Sequence, residues 1–379
     1  MVQLGIDRIT EYAKLFSGKR IALITNYSGI SSALRDSLSV FLESGFRVTK
    51  LFTPEHGMWG AMDGAKVGDA LHPKWKIPMI SLYGEKRRPS KADLADTDLL
   101  VYDIQDVGLR YYTYIYTLAE CMAAAAEAGL PLAVLDRPNP LGDTLSGCRI
   151  DPRFDSFVGA HALLTRYGLT CGEIARYFRA RLCPGLSLSV VPMAGYRRNM
   201  KWPETGQLWN LPSPSIHTFH TALCYVGGCF FEATNISEGR GTAEPFQIFG
   251  APFVDMDRLV KELRARLSEP RIAFRERAFT PFWSKWAGQA CFGVEFIPLS
   301  DDLDFMLPAL TVLKTFLDLY PDKMEFRSYA DVSRLSSLSG DESVGGYLAG
   351  KVSLAALDEA WRAQQLEFAR ETESLRLYR

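Results

Sequence analysis

The first half of the chain alternates short apolar runs with segments of helical spacing, and this alternation most limits the possible folds. Residues 21–25 read Ile-Ala-Leu-Ile-Thr, residues 32–43 carry apolar side chains at helical intervals up to Gly45, and residues 46–53 form a second apolar run. An uninterrupted apolar strand is typical of a parallel sheet that is buried on both faces. The order strand, helix, strand therefore predicts a βαβ unit within an α/β sheet.

The alternation continues to about residue 192. Further strands are predicted at 78–83, 99–103, 132–136, 186–192, 271–274 and 292–297, and further helices at 112–128, 171–182, 258–267, 302–320, 329–335 and 354–375. Residues 202–221 are rich in Pro, Ser, Thr and His without a clear period, which favours an ordered loop or a domain junction. We expect a Rossmann-like, mostly parallel sheet domain over residues 1–220, followed by a smaller α+β domain over residues 221–379.

Composition excludes several classes of protein. The chain is 47% hydrophobic and 23% charged, as is usual for a globular protein, and its 43 basic residues almost balance its 44 acidic ones. This balance gives no reason to expect nucleic acid or an anionic membrane as a partner, so a small-molecule ligand is expected. The longest uncharged run, residues 205–231, contains prolines and histidines and is poorly suited to span a membrane.

The cysteines and the N-terminal residues indicate the cellular compartment of the protein. Seven cysteines without CxxC spacing favour free thiols in a reducing compartment over a disulfide framework or a zinc site. Residues 1–20 carry charges throughout and lack the apolar core of a signal peptide. We expect a cytoplasmic protein, or an exported one if this N-terminus is a processed form. The sequence does not indicate an oligomeric state.

The second predicted strand ends in chemically active residues. Pro54 cannot donate a hydrogen bond to a sheet, so the strand should stop there and leave Glu55 and His56 at its carboxyl end. Open α/β sheets bind their ligands at that end. A carboxyl group beside an imidazole can perform general acid–base chemistry, and the alternative is a turn with a solvated acid. The polar, glycine-rich residues 57–68 that follow are a candidate active-site loop.

Two further predicted strands also end in acids, at Asp103 and Asp136. Carboxyl ends of parallel strands lie at one edge of the sheet, so these acids and Glu55 can face one crevice. Alternatively, one or two of them only cap a following turn or helix. A second polar group lies at 231–242, where the candidates are Glu232, Asn235, Glu238 and Arg240. Its alternative is a solvated turn.

Nucleotide and metal motifs are missing from the sequence. Neither GxGxxG after a strand nor GxxxxGK[ST] occurs, so we expect no nucleotide cofactor, and no HExxH cluster indicates a metal.

Five motifs in the same order resemble the NamZ-type (YbbC-like) exo-β-N-acetylmuramidases over nearly the whole chain. They are Thr-Pro-Glu-His-Gly at 53–57, Asp-Ile-Gln-Asp-Val-Gly at 103–108, Arg-Tyr-Tyr-Thr-Tyr at 110–114, Leu-Asp-Arg-Pro-Asn-Pro at 135–140, and Thr-Asn with Ser-Glu-Gly-Arg-Gly-Thr within 234–242. The resemblance implies a glycosidase that releases N-acetylmuramic acid from the non-reducing end of peptidoglycan fragments, without a metal or cofactor. It also implies that the C-terminal domain contributes the loop 232–242 to the cleft. Residues 213–217 depart from the family pattern, and so does the lack of an export signal.

Glycoside hydrolysis requires a carboxylic acid that protonates the leaving oxygen and usually a second carboxylate. Glu55 is the candidate general acid, and His56 is expected to adjust its pKa. The second carboxylate is drawn from Asp103, Asp136, Glu232 and Glu238, with Asp103 and Glu238 assigned as catalytic. In an alternative route the substrate's own acetamide attacks the anomeric carbon and the carboxylate orients it.

The lactyl group of N-acetylmuramic acid is an anion that an arginine can bind. Arg240 is favoured for this contact because glycines flank it, followed by Arg110 and Arg137. The predicted substrate-binding set also includes Gln105, Tyr112, Asp136, Asn139, Glu232 and Asn235. Tyr111, Tyr112 and Tyr114 could stack on sugars or belong to the core.

Two other functions stay open at this stage. One is a muropeptide-binding protein without catalytic activity. The other is a metal-dependent hydrolase that uses Glu55, His56, Asp103 and Asp136 as ligands.

Overall fold

The computed structural model describes residues 1–60, 68–329 and 332–379, and its largest element is a seven-stranded sheet. The strands are β1 Arg20–Thr25, β2 Arg47–Thr53, β3 Ala70–Leu71, β4 Pro78–Ser81, β5 Leu99–Asp103, β6 Leu132–Leu135, β7 Ser146–Arg149, β8 Leu164–Arg166, β9 Leu188–Val191, β10 Ile248–Ala251, β11 Ile272–Phe279, β12 Cys291–Pro298, β13 Ser328–Tyr329 and β14 Val332–Ser333. The α-helices are α1 Ala13–Phe16, α2 Ser37–Glu43, α3 Lys91–Leu94, α4 Tyr114–Glu127, α5 Cys171–Leu182, α6 Phe219–Gly228, α7 Met256–Arg266, α8 Met306–Leu319, α9 Arg334–Ser339, α10 Ser343–Leu348 and α11 Leu354–Thr372.

The large sheet has the order β3-β4-β2-β1-β5-β6-β9. All neighbouring pairs are parallel except β3 with β4 at one edge, which confirms the predicted mostly parallel α/β architecture. Successive residues of β1 point to opposite faces: Ile21 and Leu23 enter one apolar core, and Ala22 and Ile24 enter the other. Both faces are covered, as the continuous apolar runs predicted.

The C-terminal part contains a three-stranded antiparallel sheet in the order β10-β12-β11, against which α7 packs, and this confirms the predicted α+β character. Its last long helix, α11, returns to the N-terminal part and packs on β7, where Gln364 Oε1 accepts a 2.7 Å hydrogen bond from the amide of Arg149. The predicted division between residues 220 and 221 falls within the first turn of α6. No helix in the described ranges has both the length and the apolar character needed to cross a membrane.

Several predicted elements differ from the observed ones. Helix α2 begins at Ser37 rather than residue 32 because Asp36 caps it, accepting a 2.9 Å hydrogen bond from the amide of Ser39. The predicted helix at 329–335 is wrong: β13 pairs with β14 there, and α9 begins only at Arg334. Among the strands, the edge strand β3, the hairpin of β7 and β8, and β10 were not predicted. Residues 61–67, most of the predicted loop 57–68, lie outside the described residues.

Candidate active site

A cavity of about 640 Å³ opens at the carboxyl end of β2, between the parallel sheet and the C-terminal part. Two acids, Glu55 and Glu232, line it together with three arginines, Arg87, Arg240 and Arg334. Tyrosines and the aromatic ring of Phe157 form much of the remaining wall. A polar cavity with aromatic walls and a few charged groups is typical of a small-molecule site.

Glu55 and His56 occupy the centre of a tight turn that follows β2. The amide of Gly57 donates a 3.0 Å hydrogen bond to the carbonyl oxygen of Pro54, which closes the turn. His56 has a φ angle of +68°, a left-handed backbone conformation that residues other than glycine seldom adopt. Such backbone strain concentrates at functional sites. The turn presents both side chains to the cavity.

The carboxyl group of Glu55 is half-buried, and a second element fixes its position. Thr113, the residue before α4, donates a 2.7 Å hydrogen bond from Oγ1 to Glu55 Oε2. One carboxyl oxygen is therefore held by the protein.

Glu232 and two arginines form an ion-pair cluster on the opposite side. Arg240 Nη2 donates to Glu232 Oε1 at 2.8 Å, and Arg334 Nη2 lies 3.4 Å from Glu232 Oε2. Burial raises the pKa of Glu232, but Arg240, Arg334 and Lys285 together outweigh it, and the pKa lies below its ordinary value. Glu232 is therefore an anion at neutral pH.

Glu238 lies behind this cluster and is only 2% exposed. Its Oε2 accepts a 2.7 Å hydrogen bond from Lys285 Nζ, which also donates to the carbonyl oxygens of Phe231 and Ile236. Burial lowers the pKa of Lys285, against the opposite effect of Glu238. Glu238 does not line the cavity; it fixes the chain on which Glu232 and Arg240 sit.

The acids at the ends of β5 and β6 are fully buried, in contrast to Glu55. Asp103 forms a two-point ion pair with Arg137, with distances of 2.6 and 2.8 Å, and Ser37 Oγ also donates to it. Asp136 accepts hydrogen bonds from Thr170, Tyr378 and the amide of Gly172, while burial raises its pKa to about 6. The three strand-end acids thus share a sheet edge but not a crevice.

Four other predicted substrate ligands have structural partners away from the cavity. Arg110 is 0% exposed and donates to four backbone carbonyl oxygens. Gln105 donates to the carbonyl oxygens of Asp106 and Pro138. Asn139 bridges Leu169 and the amide of Leu141, and Asn235 bonds the backbone at Lys323 and Glu325. None of the four lines the cavity.

The tyrosines at 111, 112 and 114 are core residues whose edges reach the cavity wall. They are 3%, 6% and 1% exposed, too little for a sugar ring to stack on their faces. Tyr111 donates its hydroxyl to the carbonyl oxygen of Tyr225, and Tyr114 donates to that of Pro212. Burial raises the pKa of all three, so they are neutral.

Sequence reasoning missed Thr113 and Arg334. Thr113 stood inside a recognised motif but between more conspicuous tyrosines. Arg334 belongs to no motif, so only the fold brings it to the cavity. Among the residues that the structure describes, no three His, Cys, Asp or Glu side chains meet in a way that could hold a metal ion.

The fold and the cavity define a two-part α/β protein whose site suits a polar ligand with an anionic group. Two family models match the chain, the N-terminal and C-terminal parts of "Exo-beta-N-acetylmuramidase NamZ", over residues 21–220 and 223–378. A curated relative, the peptidoglycan beta-N-acetylmuramidase NamZ of Bacillus subtilis (strain 168), is 41% identical over 340 residues, which cover 88% of this chain and 82% of the relative. The chain belongs to the NamZ family, as the sequence motifs predicted.

Solved structures agree with the fold. Two DUF1343 family proteins from Bacteroides fragilis NCTC 9343 match 100% of this chain and 99% of their own. Their TM-scores are 0.88 and 0.79, at 30% and 28% sequence identity.

Proposed function

We propose that this chain is an exo-acting glycosidase that releases N-acetylmuramic acid from the non-reducing end of peptidoglycan fragments, with Glu55 as the general acid. The single observation that carries the assignment of Glu55 is its position: it is the only strand-end acid of the three predicted that lines the cavity. The name of the Bacillus subtilis relative supports the substrate class.

Glu232 replaces Asp103 and Glu238 as the proposed second carboxylate. It lines the cavity and is ionised, whereas Asp103 and Glu238 are 0% and 2% exposed. An anionic carboxylate opposite the acid can activate water, attack the anomeric carbon or orient the substrate acetamide. Asp103, Asp136, Arg137 and Glu238 are positioning residues in this proposal.

One assay tests the function directly. The protein is incubated with a chromogenic β-N-acetylmuraminide and with the matching β-N-acetylglucosaminide, and NMR identifies the anomer released first. We expect turnover of the muraminide, with the first anomer distinguishing retention from inversion. Binding without turnover would instead indicate a muropeptide-binding protein, and loss of activity on chelation would indicate a metal-dependent hydrolase.

The location of the protein and the boundary between its two parts are also proposals. The seven cysteines are unpaired, which supports a reducing, cytoplasmic location that cell fractionation can test. The division near residue 220 is best placed before α6, because α6 packs on α8 of the C-terminal part. Expression of residues 1–217 and 218–379 as separate chains would test that division.

A further inference from the structure

The cavity contains more than one arginine, and their hydrogen bonds differ. Arg240, the residue that the sequence favoured for the lactyl carboxylate, already uses all three of its guanidinium nitrogens. Nη1 donates to Ser215 Oγ at 3.0 Å, Nη2 donates to Glu232 at 2.8 Å, and Nε lies 3.5 Å from Glu238. Its guanidinium also lies over the ring of Phe246, 5.0 Å from the centroid. A substrate carboxylate would have to displace existing partners of Arg240.

Arg334 has fewer polar contacts than Arg240. Its side chain is 31% exposed, and in the described part of the chain its guanidinium makes one polar side-chain contact, at 3.4 Å, with Glu232 Oε2. That distance is long for a charge-assisted hydrogen bond, which is usually about 2.7–2.9 Å. Two of its nitrogens remain for a two-point contact with a carboxylate, the geometry that arginine favours.

We infer that Arg334 binds the lactyl carboxylate of the substrate and so determines specificity for N-acetylmuramic acid; this inference rests on the proposed function. Glu232 neutralises Arg240 more closely than Arg334, which leaves the positive charge of the cluster on the Arg334 side. An incoming anion completes the coordination of Arg334 without breaking the 2.8 Å pair between Arg240 and Glu232.

Arg334 also sits on an element that the N-terminal part holds in place. It is the first residue of α9, whose Ser337 and Leu338 line the same cavity. Arg110 donates from Nη2 to the carbonyl oxygens of Leu338 and Ser339, at 3.0 and 2.6 Å, where α9 ends. A Cβ at Gly340 would come within 2.4 Å of this guanidinium, so the close approach requires glycine. Arg110 is therefore a positioning residue for Arg334 rather than a ligand of the substrate.

Arg87 is the competing candidate, because it also lines the cavity. It is exposed, and its guanidinium lies over the ring of Phe157, 4.7 Å from the centroid, at the cavity wall. No acid in the described cavity lining is paired with it by an ion pair, so its contribution can be separated from that of Arg334 by substitution.

The test is kinetic and uses the full chain. Arg334→Gln, Arg334→Lys and Arg87→Gln are compared with the wild type on the chromogenic muraminide and glucosaminide, and Arg362→Gln on the outer face of α11 is the matched control. We expect Arg334→Gln to lower kcat/KM on the muraminide by at least about tenfold, the cost of a lost hydrogen bond to a charged group. On the glucosaminide, which has no lactyl group, only the contact of Arg334 with Glu232 is lost, so the decrease should be clearly smaller and the preference for the muraminide should fall. Arg334→Lys should recover part of the preference, since it keeps the charge but not the two-point geometry.

Two results overturn the inference: Arg334→Gln keeps the wild-type ratio between the two substrates, or Arg87→Gln erases that ratio instead. A binding experiment separates this failure from failure of the proposed function. In a Glu55→Gln background, calorimetry with free N-acetylmuramic acid and N-acetylglucosamine reports recognition without turnover. Loss of the muramic acid preference on adding Arg334→Gln supports the inference even if the wild type hydrolyses neither glycoside. An unchanged preference refutes it whatever the activity.

Discussion

Thr113 Oγ1 donates a 2.7 Å hydrogen bond to Glu55 Oε2 and so joins the start of α4 to the turn after β2. The contact holds one carboxyl oxygen of Glu55, and no hydrogen bond to the other is found among the residues that the structure describes. A general acid must keep its proton in line with the leaving oxygen. The orientation of Glu55 therefore depends on a hydroxyl 58 residues away.

We expect Thr113→Val to lower kcat by about tenfold with little change in KM, because the nearly isosteric change removes the hydrogen bond that orients the carboxyl group of Glu55. Thr113→Ser, which keeps the hydroxyl, should restore most of the rate. Steady-state kinetics on the chromogenic muraminide measures both. A Thr113→Val variant with the wild-type kcat would contradict this role of the hydrogen bond, because Val keeps the γ-methyl group and lacks only the hydroxyl.

Glu55→Gln should reduce kcat by at least about 100-fold while the protein stays folded, because the change removes the transferable proton and little else. The loss should be smaller for a nitrophenolate aglycone than for a sugar, since a good leaving group needs less protonation. Kinetics with both aglycones, beside thermal unfolding curves, measures this. Retention of more than about a tenth of the wild-type kcat would exclude Glu55 as the acid.

The sequence predicted six of the seven strands of the large sheet closely, because each is a mostly apolar run bounded by polar turns. The two-residue edge strand β3 was not predicted, since it is short and exposed. It could not predict which way a side chain points after its strand ends. Glu55 follows a proline and sits in a turn that opens to the cavity, whereas Asp103 is still the last residue of β5 and faces Arg137 inside the protein. Both look alike as acids at strand ends. What separates them is the surrounding structure: Asp103 is paired with Arg137, which lies 34 residues further along the chain.

Arg334 shows the second reason for a missed residue. Its place at the cavity comes from the contact of α9 with Arg110, which joins residues 228 and 229 positions apart in the chain. No local pattern records such a contact. The same holds for the short pair β13 and β14, which the helical spacing at 329–335 concealed.

The Asp103–Arg137 pair leads to a stability prediction. Both side chains are at most 2% exposed, so Arg137→Met would leave a buried carboxylate without its partner. We expect the free energy of unfolding to fall by about 3–5 kcal/mol. Adding Asp103→Asn should recover part of that loss because the remaining group is neutral. Denaturant unfolding of the single and double variants measures this.

The same double variant separates structure from catalysis at Asp103. If Asp103 only positions the sheet edge, folded Asp103→Asn/Arg137→Met protein should keep kcat within about tenfold of the wild type at a temperature well below its unfolding. A loss comparable with that of Glu55→Gln would return Asp103 to the catalytic set.

The last prediction concerns Asp106, a carboxyl group in the same motif as Asp103. Burial raises its pKa from 3.8 to about 6, although Tyr167 and the amide of Gly108 donate hydrogen bonds to its Oδ2. Its Oδ1 has no hydrogen-bond partner in the described part of the protein. The folded state therefore binds a proton between about pH 4 and 6 that the unfolded chain releases.

A raised carboxyl pKa makes the contribution of this group to stability largest at low pH and smaller as the pH rises through about 6. A shift of this size corresponds to a loss on the order of 3 kcal/mol. Asp106→Asn imitates the protonated acid at every pH, so the variant should gain stability relative to the wild type between pH 4 and 7. Tyr167→Phe removes a hydrogen bond that lowers the pKa of Asp106. In this variant, the loss of stability with rising pH should therefore occur at a higher pH than in the wild type. Denaturant unfolding of the three proteins across this range is the measurement; a stability difference between wild type and Asp106→Asn that does not vary with pH would show that Asp106 is ionised throughout.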